Sequence, residues 1–564
     1  MFVDRAISQS KGTRYKWVVL SNTTLGILLA SVNGSIILIS LPAIFRGIHI
    51  DPLAPAESGI FLWTVMGYLV VSGTFMVSVG RISDMYGRIR FYNLGFLIFT
   101  IGSILLFFTR GQGNLAAIQI IMYRLIQAFG SAFLFANSAA LLTDAFPQNQ
   151  RGLALGLNQI AGVGGSLIGL ILGGVLSSIT YSLVFLVSVP VGIAGTIWSY
   201  LMLKQLGVAK RNQRVDVLGN IVFASGIVLV LVGLTYALVP YQGAPMGWQN
   251  PLVIGELAGG VLLLILFVPI ERKVINPMFN LSLFRLRSFY AGIIAGLFSS
   301  IARGGLQLLL IIWLQGLWLP LNGYSYAQTP LWAGIALSPM IILFLLMGPI
   351  SGTLADRFGA KLLAFSGMML CSAGFLGLTL LPANFSYVAF VFVLALLGIG
   401  QGLFVSPNTM AVMNSLPAEH RGVGSGMLNC FQTSGWMFSI GVFFTLVIIG
   451  FSGDLKSSLE NGLIGAGLPV RAAGSIANLP PTAALFAAFL GYNPMAHLLP
   501  HSLITSLPSY TGAVLLSTKF FPNLVSRPLM QGFHLAFLVA AIMSFLAAVC
   551  SLLHDSSTKG LKKA

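Results

Sequence analysis

The sequence predicts an all-α integral membrane protein whose fourteen transmembrane helices form two six-helix bundles with two extra helices between them. Three observations carry this. Hydrophobic residues make up 56% of the 564 residues and charged residues only 8%, too few to clothe a soluble globule of that size. Apolar runs of about 20 residues, the length that crosses a bilayer as a helix, recur along nearly the whole chain. A charged turn between two such runs occurs twice, as Gly80-Arg-Ile-Ser-Asp84-Met-Tyr-Gly87-Arg88 and as Gly352-Thr-Leu-Ala-Asp356-Arg357-Phe-Gly359. Further along each half comes a second shared pattern, Pro147-x3-Arg151-Gly152-x3-Gly156 and Pro417-x3-Arg421-Gly422-x3-Gly426. The offsets are 272 and 270 residues, so a whole segment is duplicated.

The runs fall in a six, two, six order. Trp17 to Leu41, Gly59 to Val79, Phe91 to Phe108, Leu115 to Leu142, Leu153 to Leu176 and Leu183 to Leu203 form an N-terminal bundle within 1–204. Val217 to Val239 and Leu252 to Ile270 are the extra pair, with flanking loops, in 205–288. The C-terminal bundle, 289–564, holds Phe289 to Leu317, Leu331 to Ile350, Leu362 to Leu381, Tyr387 to Met413, Gly422 to Ile449 and Gly532 to Leu553. Residues 450–531 are its one long connection, whose apolar pieces, such as Thr482 to Leu490, are too short to span. The first run is too long for a signal-peptide core and no small-residue cleavage site follows it, so it is expected to stay as a helix.

Lys and Arg favour cytoplasmic loops, and placing both termini in the cytoplasm puts 22 of the 30 there. Arg46 and Arg110 fall in short outer loops, Lys456, Arg471, Lys519 and Arg527 in the long one, and Arg124 and Arg303 inside runs. The net charge of +17 is therefore spread over loops that meet lipid headgroups, not gathered on a nucleic-acid-binding stripe. Cys371, Cys430 and Cys550 lie inside apolar runs, with no disulfide framework and no metal-ligand spacing. There is no nucleotide-binding loop, no Ser/His/Asp set and no carboxylate pair, which disfavours a primary pump and a lipid-acting membrane enzyme. Composition by itself shows only a membrane protein, expected to be a monomer in the cell membrane, without cofactor or metal and not an enzyme.

In the repeated turn, the glycines let the chain leave one helix and reverse tightly, and the Asp is of a type that caps the next helix. From Trp17 to Met437 the chain resembles the fourteen-helix drug:proton antiporter branch of the major facilitator superfamily. The paired turns are similar to that superfamily's loop signature, which implies a cytoplasmic latch made by Gly80, Asp84, Gly87, Arg88, Gly352, Asp356, Arg357 and Gly359. Trp63-Thr-Val-Met-Gly-Tyr68-Leu, and Glu271-Arg-Lys-Val-Ile-Asn-Pro277 running on to Leu283-Phe284-Arg285, resemble the branch itself. Met122-Tyr-Arg124-Leu-Ile-Gln127-Ala128-Phe-Gly130 is similar to a family pattern whose Arg is implicated in proton coupling, with Ala128 replacing a Gly. Gly165-x3-Gly169-Leu170-x2-Gly173-Gly174 resembles the antiporter signature, with Leu170 where the family has Pro. Its glycine face suits close helix packing whatever else it does. The first run departs more: Asn33 stands where the family has Asp, and Leu38 where it has Asn.

The resemblance implies proton-coupled efflux of small organic or drug-like compounds by alternating access. A carrier for an anionic or neutral metabolite, with weak or no proton coupling, is the alternative. Proton coupling needs a group that titrates inside the membrane, and only Glu256 of the thirteen acidic residues lies clearly within a run. Asn33, Arg124, Gln127, Arg303 and Gln315 are expected at a coupling or substrate cavity, with Asn137, Gln159, Gln307, Asn408 and Gln432 as further polar contacts. Arg124 and Arg303 are near the midplane with no carboxylate at their depth, so the cavity is expected to be electropositive.

Overall fold

A computed structural model describes the chain except for residues 1, 51–57, 148–149, 205–215, 275–278, 418–420, 491–492, 494, 496–498, 500–507 and 555–564. Among the described residues, fourteen helices are long and apolar enough to cross a membrane. They are α1 (Phe2–Gly47), α2 (Ser58–Tyr86), α3 (Arg88–Phe107), α4 (Gly113–Ala145), α5 (Arg151–Ile179), α6 (Leu183–Met202), α7 (Val217–Ala237), α8 (Pro251–Lys273), α9 (Arg287–Leu321), α10 (Thr329–Phe358), α11 (Ala360–Thr379), α12 (Tyr387–Asn414), α13 (Arg421–Gly465) and, after three short helices, α17 (Phe520–Ser551). Helices satisfy every backbone N–H and C=O internally, which is what hydrocarbon demands of a spanning segment. The first bundle is tied together by α1 on α5 and α4, and α3 on α4. The second is tied by α9 and α17 on α13, and α12 on α10 and α11. The extra helices α7 and α8 pair with each other and touch the bundles through α2 and α13.

Both repeated turns are a single glycine long. Gly87 has φ +113° and Gly359 φ +83°, a region that side chains with a Cβ rarely enter. Their N–H groups donate to Ser83 O at 2.8 Å and Ala355 O at 2.9 Å. The expectation that Asp caps the following helix is corrected here. The N-cap positions of α3 and α11 are Gly87 and Gly359 themselves, without a side-chain cap, because an Asp three residues earlier still lies in the last turn of α2 or α10. The face carrying these turns is called the turn face below.

The long connection differs most from the sequence reading, because α13 runs on to Gly465 and α17 starts at Phe520 rather than near Gly532. Phe451, Leu455, Leu459 and Leu463 recur every fourth residue and are buried, as are Phe521, Val525 and Leu529 of α17. A Cβ on Gly450 would come within 2.5 Å of Gly532 Cα, so the two helices meet backbone to backbone where the extensions begin. Between them lie α14 (Val470–Ile476), α15 (Pro481–Leu490) and α16 (Ser509–Leu516). α14 and α15 are bent by 84° to one another, and every residue from Thr482 to Leu490 is buried.

Candidate functional site

Two bundles built on one repeated design meet, and one hydrogen bond joins equivalent positions of the two. Gln159 on α5 donates from Nε2 to Asn429 Oδ1 on α13 at 3.0 Å. The two are 270 residues apart, the same offset as Pro147/Pro417 and Arg151/Arg421, so they are equivalent positions touching each other. Around this pair lies a cavity of about 280 Å³ lined by α1, α2, α4 and α5 of the first bundle and α9 to α13 of the second. Phe135, Phe344, Phe375 and Trp436 supply aromatic walls, while Gln159, Gln307, Gln401, Asn429 and Gln432 supply amides. No Asp, Glu or His is among the described lining residues; the one formal charge is Arg303. This is the common build of a small-molecule site, mostly apolar with a few polar groups that fix orientation.

Arg303 sits at the middle of α9, facing the cavity, and makes no hydrogen bond or ion pair with any described residue. Arg124 is placed differently. Its Nε donates to Thr64 O at 2.9 Å, its guanidinium lies 4.8 Å from the centre of the Tyr68 ring, and Nη1 has no partner. It borders a small space beside the cavity, and Tyr68 lines both. A cation held over an aromatic face and bonded to a carbonyl is a stable way to keep a guanidinium inside a membrane protein.

The other three residues expected at the cavity do not line it. Asn33 turns toward α6 and donates to Ser188 Oγ at 3.0 Å, with Oδ1 unpartnered. Gln127 faces α3 and donates to Ser103 Oγ at 2.8 Å, because Gly102 leaves room for it there. Gln315 is part of a π-helical turn, Leu314–Trp318, and donates across the bundles to Ile39 O at 3.3 Å. Asn137 and Asn408 bond to backbone carbonyls within their own bundles. Gln159, Gln307 and Gln432 do line the cavity, as do Ser31, Ser35, Ser72, Asn158, Gln401, Asn429 and Thr433, which the sequence reading did not single out. Only the equivalence of Gln159 with Asn429 under the repeat could have flagged one of these in advance.

Of the residues expected at a latch, Arg88 donates from Nη1 to both carboxylate oxygens of Asp144 at 2.7 Å, joining α3 to α4. Gly80 and Gly352 lie near Ala136 and Ser406, and Arg357 is exposed. The side chains of Asp84 and Asp356 are outside the described set. Gly165, Gly169 and Gly173 face the backbone of Leu28, Val32 and Ile36 on α1, while Gly174 faces Pro330 and Leu331 on α10. Glu256 is half-buried on α8, away from the cavity. Glu271, one residue past the eighth apolar run, is buried and accepts from Phe279 N, and Asp216 caps α7 by accepting from Gly219 N at 2.8 Å.

Away from the turn face the bundles are shut. α5 and α10 touch where Gly174 meets Leu331 and where Gly334 meets Leu170 and Ile171. Arg46 Nη2 donates to Tyr326 O at 3.4 Å, and the Tyr326 hydroxyl donates to Thr518 O at 2.9 Å. α15 fills the space between, packed on α1 and α2 of one bundle and on α9, α13 and α17 of the other. Its Ala488 carbonyl lies 3.1 Å from where a Cβ on Gly316 would be, and Phe486 stacks on Phe444. No residue of α14 to α16 lines the cavity, so α15 stands above it as a stopper.

The family model described as Major Facilitator Superfamily matches residues 23–440. Among curated proteins, the riboflavin transporter RibZ of Clostridioides difficile (strain 630) is 27% identical, over 74% of this chain and 84% of that protein. The multidrug resistance protein Stp of Mycobacterium tuberculosis (strain CDC 1551 / Oshkosh) is 29% identical over 80% and 79%. The multidrug transporter protein MdtP of Bacillus subtilis (strain 168) is 25% identical over 99% and 95%. Among solved structures, a bacterial homolog of the human lysosomal transporter Spinster aligns with a TM-score of 0.57 at 14% identity, covering 96% of this chain and 98% of that one. The proton:xylose symporter XylE aligns at 0.51 and 15%, covering 87% and 97%.

Proposed function

The chain belongs to the major facilitator superfamily, and from that premise we propose that it exports small organic compounds by alternating access, driven by the proton gradient. The observation that carries the reading is the midplane cavity lined by both bundles around Gln159 and Asn429. A site between two rocking bodies can be exposed to either side in turn. Relatives named as drug-resistance proteins support export, and the aromatic and amide lining suits organic substrates of moderate size. In this reading the turn face and both termini are cytoplasmic. The paired turns, with Gly80, Asp84, Gly87 and Arg88 in one and Gly352, Asp356, Arg357 and Gly359 in the other, latch the bundles there.

A second reading, a carrier for anionic or neutral compounds without proton coupling, is favoured by one observation. The described cavity lining has no carboxylate or histidine, and Asn33, in place of the family's Asp, faces α6. Flux of a dye panel in proteoliposomes, with and without an imposed pH gradient, separates the readings. The proposal expects at least one dye to be concentrated against its gradient only when the pH gradient is imposed, to about tenfold per pH unit for one-for-one exchange with protons. Asp84→Asn should slow the same flux at equal expression, since losing one charge at the turn is expected to bias a two-state element. Gradient-independent flux would leave the second reading, and no flux of any dye would remove the export reading.

A further inference from the structure

Two donors on one face of α9 have no hydrogen-bond acceptor among the described residues. Arg303 and Gln307 are four residues apart, about 6 Å along a helix, and so project one above the other into the cavity. The Arg303 guanidinium has no described acceptor, and Gln307 Nε2 is buried without one. Gln432, from α13, lines the same wall, its Nε2 lying 3.1 Å from where a Cβ on Gly296 of α9 would stand. A buried donor without an acceptor is costly, and a buried charge more so, unless something that enters the cavity supplies the missing oxygen. Arg124 is not available for that role, being bonded to Thr64 O and stacked on Tyr68.

We propose that the transported compounds of this carrier are aromatic and bear a carboxylate, sulfonate or comparable anionic group, which docks on Arg303 and Gln307 while the ring system packs against Phe344, Phe375 and Trp436. The proposal rests on the cavity being the substrate site of the export reading. Guanidinium–oxyanion bonds are charge-assisted and bidentate, so this contact sets orientation as well as affinity. A cation in the same place meets a like charge with no described carboxylate to offset it, so lipophilic cations are selected against.

The test is equilibrium dialysis of the purified full chain in nanodiscs against three matched probes: naphthalene-1-sulfonate, 1-naphthylmethanol and 1-naphthylmethylammonium. Wild type should bind the sulfonate at least about tenfold more tightly than the ammonium, with the alcohol between them. Arg303→Gln should weaken the sulfonate about tenfold or more and the alcohol by no more than about threefold, while Arg303→Lys recovers part of the loss. Gln307→Leu should weaken the sulfonate by a smaller factor. Wild-type protein that binds the ammonium as tightly as the sulfonate overturns the proposal, whether or not any variant folds. So does sulfonate binding that is equal in wild type and Arg303→Gln. Arg303-dependent sulfonate binding in a protein that moves no dye across a vesicle would remove the export reading and leave standing only the part of this inference that assigns the cavity to aromatic anions.

Discussion

Gly169→Leu is expected to leave no transport-competent protein. At this position a Cβ would stand 2.2 Å from Ser35 Oγ and 2.5 Å from the Val32 carbonyl, so α5 cannot accept a side chain without being pushed off α1. At Gly165 and Gly173, one turn to either side, a Cβ would stand 2.8 Å from Leu28 O and from Ile36 O, and the contact cannot be relieved by a small slide along the helix. Overpacking a core costs about 1–3 kcal/mol where side chains can yield, and more where the obstacle is backbone. Against a total stability of about 5–15 kcal/mol for an ordinary fold, that is a large fraction. The measurement is the folded yield by size-exclusion chromatography, together with flux per folded molecule. Both should fall by about tenfold or more, because a clash with backbone displaces α5 from α1 rather than costing the roughly 1–3 kcal/mol of a core that yields. Gly255→Ala on α8, where a Cβ meets nothing within 4 Å, is the control and should behave as wild type. Normal yield and flux in Gly169→Leu would mean that α1 and α5 do not touch as described.

Ala487→Arg is expected to unseat α15 and open the cavity from the side opposite the turns. Ala487 is fully buried between the bundles, and an uncompensated charge there costs several kcal/mol unless the helix leaves. The readout is a cysteine at Ser31, on the cavity wall, in a protein whose Cys371, Cys430 and Cys550 are replaced by Ala. Its reaction with a membrane-impermeant thiol reagent added to intact cells should be about tenfold faster or more in Ala487→Arg than with α15 intact. An unchanged rate would show that α15 is not the outer seal. Protection from outside combined with rapid labelling in inverted vesicles, in both proteins, would point to the same conclusion.

The spans and their pairing were legible because two signals are strong and local. Hydrocarbon requires long apolar helices, and the repeat places Gly87 and Gly359 at the same one-residue turn in each half. The outer extension of α13 was not legible from apolar runs, since Asp454, Lys456 and Glu460 interrupt it. Its signal was the four-residue spacing of Phe451, Leu455, Leu459 and Leu463, a helix period rather than a membrane span. The cavity was half legible. Depth alone put Arg303 at the midplane, but depth says nothing about which way a side chain points around a helix. Asn33, Gln127 and Gln315 sit at comparable depths or between the bundles and turn to neighbours that happen to offer a hydroxyl or a carbonyl. That choice depends on small residues of the partner helix, such as Gly102 opposite Gln127.

Alternating access requires the bundles to part on the face where α15 sits, and the most direct measurement is a reversible cross-link across that closure. A Cβ on Gly334 of α10 lies 3.5 Å from Ile171 Cα on α5, within reach of disulfide geometry for the pair Ile171→Cys and Gly334→Cys. In proteoliposomes, oxidation of this pair should reduce flux of whichever dye is transported by about tenfold or more, and reductant should restore it, because a state held shut on one face cannot complete the cycle. Flux in fully cross-linked protein that equals the flux before oxidation would contradict the account, since the substrate would then be crossing without the bundles separating there.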